Sequence, residues 1–282
     1  MRNSTDLAAA VESVVRVFLK MAGGVSPPAP QMKSALVLLS LFLAACSTPT
    51  AVRPAAEPKP EKAKIKQPSP YDSEFWKTWS DGQAEVAAYD LIMPKYGQLR
   101  RGTAIAITVA ESFSKSAMVK ADPGKHASSD VFAAIKLNLI RSYQTGIYNY
   151  KDMLSAFVAL DEVNGRVPGM AAKITYSSQE WCGQVFSELL FSGSTVHQTR
   201  HSYFDGEADM QRSLQNAEEA LAEDTVMLVA RRIGWPRLRL GQRYETQMLT
   251  SLEAERSHHE RVSYVPAAFT LAKERQTTTV PA

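Results

Sequence analysis

Residues 131–160 read VFAAIKLNLIRSYQTGIYNYKDMLSAFVAL. Two apolar runs, VFAAIKLNLIRSY and DMLSAFVAL, flank the segment QTGIYNYK, which carries Gly146. Runs rich in branched and aromatic side chains around a glycine-bearing break are the pattern of a β-hairpin. This hairpin sets the expectation for its neighbours on both sides.

On the N-terminal side, QAEVAAYDLIM and GTAIAITVAESF read as two strands joined at the turn signals Pro94 and Gly97. ADPGKHASSD is a loop. Before them, Tyr71, Phe75, Trp76 and Trp79 recur at helical spacing and predict a short amphipathic turn. On the C-terminal side, NGRVPG breaks the chain, and strand-like segments follow near 172–179, 182–191 and 195–204. Breaks about every ten residues make the first two-thirds an antiparallel meander. One helix is expected against it, over NAEEALAEDTVMLVARRIGWP. Acids fill its first half, Arg231 and Arg232 its last turn, and Gly234 and Pro236 follow, an order that suits the helix dipole and a helix stop. RYETQMLTSLEA, RVSYVPAAFTLAKE and RQTTTVPA read as further strand-like pieces. The fold class is mainly β: a large curved antiparallel sheet with one main packed helix.

A different signal lies upstream. SALVLLSLFLAACSTPT, residues 34–50, has no charge. A spanning helix needs about 20 consecutive apolar residues, and Ala35–Ala45 supplies half that. It fits the apolar core of a secretory signal, with Lys33 before it and small residues at its end. Leu43-Ala44-Ala45-Cys46 resembles the lipobox of bacterial lipoproteins. The resemblance implies cleavage before Cys46, acylation of Cys46, and a destination at the outer membrane, periplasmic face, since Ser47 rather than Asp follows the cysteine. Met32 or Met21 is the expected true start, so residues 1–45 form the signal region. Residues 46–70 are the lipidated cysteine and a Pro- and Lys-rich tether, which at roughly 3 Å per residue reaches about 70 Å. Residues 71–282 are the domain.

Charge follows this division. The whole chain is +3, with 32 basic and 29 acidic residues, but residues 71–282 hold 23 and 25 and sum to −2. The basic balance lies in the leader and tether, which argues against nucleic-acid binding. With Cys46 acylated, Cys182 has no intrachain partner, so the domain relies on its core.

FWKTWSDGQAEVAAYDL, RRGTAIAITVAESFS, TGIYNYKDMLS, SSQEWCGQVF and HSYFDGEAD together resemble a group of uncharacterised bacterial lipoproteins, over roughly residues 75–235. The resemblance implies a secreted β-rich domain, a half-barrel sheet like those of periplasmic lipoprotein carriers. Such sequences are sometimes labelled Maf, the septum-formation inhibitor and nucleotide pyrophosphatase. That label does not suit this chain, which has neither a Ser-Pro-Arg-Arg motif near its start nor βαβ alternation. In the group, Val-Pro-Ala continues into a further strand pair, whereas this chain stops at Ala282. A C-terminal truncation is therefore expected, with an unpaired edge that invites aggregation.

Residues with chemical potential cluster in SSQEWCG. Glu180, Trp181 and Cys182 are candidates, with Cys182 a nucleophile if His197 or His201 pairs with it. The plainer alternative packs Trp181 and Cys182 in the core. His197, His201, Asp205, Glu207 and Asp209 resemble a metal set. On a strand, however, His197 and His201 lie about 13 Å apart, too far for one ion held about 2 Å from each ring. ERSHHER, residues 255–261, reads as a charged surface loop. There is no P-loop, GxGxxG, HExxH, GxSxG or CxxC. No cofactor or metal is expected. The leading function is non-enzymatic: a membrane-tethered protein binding a lipid or other apolar ligand, in a groove between helix and sheet if the two do not simply make a filled core. The alternatives are an envelope protein-interaction module and a Cys-dependent hydrolase.

Overall fold

The computed structural model describes residues 71–217 and 219–273. The signal region, Cys46, the tether and the terminal TTTVPA lie outside the described residues. No helix among the described residues is long and apolar enough to cross a membrane.

A short helix opens the domain. α1 (Ser73–Trp79) starts where the Asp72 carboxylate accepts the Phe75 N–H at 2.8 Å, satisfying one of the helix's orphan donors. Trp76 and Trp79 share its buried face. Tyr71, just before it, donates its hydroxyl to the Ile233 carbonyl at 2.9 Å.

Eight strands follow as an uninterrupted antiparallel meander: β1 (Glu85–Lys95), β2 (Gln98–Ser114), β3 (Val131–Thr145), β4 (Tyr148–Ala159), β5 (Ala171–Glu180), β6 (Gly183–Ser192), β7 (Thr195–Ser202) and β8 (Met210–Gln215). Four of its connections are two-residue turns, closed by Lys95↔Gln98, Thr145↔Tyr148, Glu180↔Gly183 and Ser192↔Thr195. Tyr96 and Gly97 both have positive φ, 53° and 70°, as the turn that matches strand twist requires. The expected strand at 182–191 begins one residue later, because Trp181 and Cys182 form a turn. β8 was not foreseen, for MQRSLQ carries little apolar signal.

Alternation along the strands gives the sheet two faces. Ile135, Leu137, Leu154, Ala156, Ile174, Leu189 and Val196 lie on the face that the helices cover. Phe113, Phe132, Ala134 and Ala172 lie on the other face, packed with Met118 and Val163 from the connecting loops. β1 and β8 do not pair, so the sheet stays open.

Residues 216–233 correct the expectation of one long helix. Leu221–Ala222 is a short strand, β9, paired in parallel with Met248 and Leu249. A 3₁₀ turn covers Glu223–Thr225, and α2 is only Val226–Ala230. Tertiary pairing outweighs helix propensity here: the backbone of Leu221 joins a second sheet of three strands, with β9 at one edge. β10 is Arg243–Leu249 and β11 is Tyr264–Thr270. Between them lies α3 (Leu252–His258), begun by the Ser251 hydroxyl accepting the Ala254 N–H at 3.1 Å and ended at His259 with φ 56°. ERSHHER is thus the end of a helix and its cap rather than a surface loop, and Glu255 and Arg256 are buried. The short α2 and α3 stand where one longer helix was expected.

α3 contacts β3, β5, β6 and β7 through side chains. In a flat sheet β3 and β7 stand about 19 Å apart, while seven helical residues span about 10 Å. The short helix reaches these strands through the long side chains of Arg141, Arg200 and Arg256.

Candidate functional site

The covered face divides into a filled half and an open half. The filled half carries an ionic layer beneath α3. Glu255, 3% exposed, holds Gln198 Nε2 at 2.9 Å from each carboxylate oxygen and Arg200 at 3.3 Å. Ser187 donates to the same carboxylate at 3.4 Å. Arg256 pairs with Glu180, and Arg141 with Glu253. Arg212 Nε donates to Gln198 Oε1 at 2.7 Å, which orients the amide. Asp152 accepts Ser178 at 2.7 Å. Burial alone would lower the pKa of Arg141, but the Glu253 carboxylate outweighs it, and the guanidinium is held above its ordinary range.

This layer fixes α3 on the sheet. Apolar contact from so short a helix rests mainly on Leu252, so matched charges set its register. Buried ion pairs add little net stability but make one arrangement distinct from its competitors. The acids assigned in the sequence to the dipole of a long helix serve α3 instead. Glu223 accepts the Ser251 N–H at 2.9 Å and Asp224 the Leu252 N–H at 3.1 Å. Burial pushes the Asp224 carboxyl up to about 7, against the Leu252 hydrogen bond and with help from Glu223 and Glu253.

The open half lies between α2 and β1–β3. A cavity of about 190 Å³ is floored by Ala106, Thr108 and Leu137 and walled by Val226, Met227 and Leu228. Tyr89, 41% exposed, stands at its margin. Arg231 closes one side, donating to Thr108 Oγ1 at 3.0 Å and Glu85 Oε2 at 2.6 Å while lying over the Trp79 ring. The lining is apolar apart from this trio. An apolar cavity of about 150 Å³ accepts a benzene-sized guest, so this one fits a single ring or a short length of chain.

The residues singled out in the sequence do not converge. Glu180 is buried in the ionic layer, whereas Trp181 and Cys182 are exposed on the β5–β6 turn, which corrects the alternative that placed them in the core. His197 and His201 point from the uncovered sheet face. His197 Nδ1 is hydrogen-bonded to Ser213 at 3.0 Å and His201 Nδ1 to Asp209 at 2.9 Å. Neither imidazole is hydrogen-bonded to Cys182. Among the described residues no group of acids, histidines and cysteines could hold a metal ion.

Sequence reasoning missed Arg141, Asp152, Gln198, Arg200 and Glu255 in the layer, and Glu85 and Arg231 at the cavity. One signal was present. Arg141 is in phase with Leu137 and Leu139, and Asp152 with Leu154 and Ala156, so both charges occupy core-facing strand positions. No family model, no curated protein and no solved structure matches the chain.

Proposed function

We propose that this chain is a lipoprotein of the bacterial envelope, acylated at Cys46 and held on the periplasmic face of the outer membrane, which binds a lipid or other apolar ligand. The observation that carries the reading is the apolar cavity between α2 and β1–β3. Its lining follows the pattern of small-molecule sites, apolar walls with a few placed polar groups. Its size suits one end of an amphiphile rather than a whole lipid. The ligand's polar part would lie toward Tyr89 and Arg231. The lipobox and the Pro- and Lys-rich tether support the placement.

The hydrolase alternative has no observation in its favour, since Cys182 lacks an imidazole partner. The carrier reading is tested with the full chain, isolated in detergent from membranes and weighed by native mass spectrometry before and after solvent extraction. Extractable mass is expected, and Ala106→Leu, which fills the cavity floor, removes it. A wild-type chain with no extractable mass, or a variant that keeps it, retires the reading. Palmitate labelling tests the anchor separately: label on the wild type and none on Cys46→Ala is expected, and an unlabelled wild type discards the lipobox.

A further inference from the structure

In a meander, the odd-to-even connections all lie at one end of the sheet. Here these are the β1–β2, β3–β4 and β5–β6 turns and the β7–β8 loop. Each carries a large apolar or aromatic side chain directed to solvent. Tyr96 is 61% exposed, Ile147 91%, Trp181 64% and Tyr203 68%. On the connections at the opposite end the exposed large hydrophobics are Val119 and Val167, each under half exposed, and Leu240, 69% exposed, follows the segment bonded to Pro168 and Gly169 there.

The aromatic groups form a connected belt. Tyr96 meets Tyr150 at 6.4 Å between ring centroids, Tyr150 meets Tyr148 at 5.6 Å, and Tyr148 meets Trp181 at 6.1 Å. Tyr203 lies over Gly183, where a Cβ would come 2.3 Å from the ring. Cations accompany the belt. Lys95 stands 5.4 Å from the Tyr96 ring centroid, and Arg101 and Lys151 are exposed on β2 and β4. Of the carboxylates at this end, Glu180 is paired with Arg256, Glu207 with His259 and Asp209 with His201, while Asp90, exposed on β1 in the same cross-strand row as Lys151, and Asp205 on the β7–β8 loop stand among the cations.

We propose that this rim docks on an anionic lipid surface, with Ile147 and Trp181 entering the headgroup region and Lys95, Arg101 and Lys151 facing lipid phosphates. The composition argues for lipid over a protein partner. Tyrosine and tryptophan with one polar end settle at the bilayer interface, and lysine and arginine beside them are each worth about 1 kcal/mol near an anionic leaflet. The apolar groups also stand on four separate loop tips rather than on one flat patch. Docking is independent of the cavity between α2 and the sheet, and it needs no acyl chain. With an acyl anchor it would be the second signal that makes attachment firm.

The test uses the full chain with Cys46→Ala, whose remaining cysteine, Cys182, sits on the rim and accepts a nitrobenzoxadiazole label. Vesicles are phosphatidylcholine with one-quarter phosphatidylglycerol, with and without doxyl-labelled lipid. We expect a blue-shifted emission quenched by the doxyl lipid, and no quenching of the same label at Ser128→Cys, on the far end, in a Cys182→Ser background. Ile147→Ser with Trp181→Ser, carrying the label at Tyr96→Cys in the Cys182→Ser background, should partition about tenfold less than its parent. Vesicles of phosphatidylcholine alone should bind more weakly. An unquenched Cys182 label overturns the inference, including the case in which residues 35–45 alone insert. Equal quenching at position 128, or equal partition of variant and parent, also overturns it.

Discussion

The carboxylate of Glu255 on α3 holds the amide nitrogen of Gln198 on β7 2.9 Å from each of its oxygens. Arg212 binds the opposite end of that amide, so its orientation is set from both sides. Removing the carboxylate strands Arg200, whose guanidinium is buried beside it. Glu255→Ala should therefore cost about 3–5 kcal/mol, as expected for breaking a buried pair. Urea unfolding followed by circular dichroism reads the change, and a loss under 1 kcal/mol would show that α3 is held otherwise.

Asp224 gives the domain a pH dependence of definite sign. Its carboxyl is raised to about 7 by burial, against about 3.9 in an unfolded chain. Between those values the native state keeps a proton that the unfolded state has released. This contribution to stability is fully present below about pH 4 and is lost as pH rises through about 7. Asp224→Asn keeps an acceptor for the Leu252 N–H and removes the dependence. At pH 8 the variant should be more stable than wild type, on the order of 4 kcal/mol, and near pH 4 the two should match. Thermal unfolding across that range decides it, and parallel curves for both proteins would refute it.

Gly102 of β2 is paired with Tyr143 of β3. A Cβ there would stand 2.2 Å from the Ser142 carbonyl oxygen and 2.8 Å from the Tyr143 Cβ. Backbone cannot yield as a side-chain tip can, so Gly102→Ala should destabilise by about 2–3 kcal/mol. The measurement is the denaturant midpoint at constant m-value. An unchanged midpoint would mean that the strand shifts freely.

Arg231 joins α2 to the sheet through Glu85, Thr108 and the face of Trp79. Arg231→Ala should lose about 2 kcal/mol, because hydrogen bonds involving charged groups are the stronger ones. Arg231→Lys should restore only part, since one ammonium cannot reproduce the planar fork. Hydrogen exchange of the α2 amides should speed up in both variants, more in the alanine form. Full recovery by lysine would reduce the contact to a point charge.

The meander was legible because its signals are local. The period-two alternation of GTAIAITVAESF and VFAAIKLNLI, with Gly97 and Gly146 between strands, needs no knowledge of distant residues. The amphipathic turn at 71–79 was legible for the same reason. A groove between helix and sheet was weighed against a filled core, and neither the short α2 nor the cavity lining was read from the sequence. The buried charges were not anticipated, although Arg141 and Asp152 stand at core-facing positions.

What stayed hidden depends on partners far along the chain. NAEEALAEDTVMLVARR has the composition of a helix, yet Leu221 pairs with Met248 in a sheet and Asp224 binds the Leu252 N–H, 28 residues away. Glu180 is buried because Arg256, 76 residues on, reaches it, while its neighbours Trp181 and Cys182 turn out to solvent. Local alternation and turn chemistry therefore determine the antiparallel sheet and its strand order. The length of each helix, the burial of each charge and the position of the cavity follow from long-range pairing. There the desolvation of a charged group is offset only once its partner has arrived.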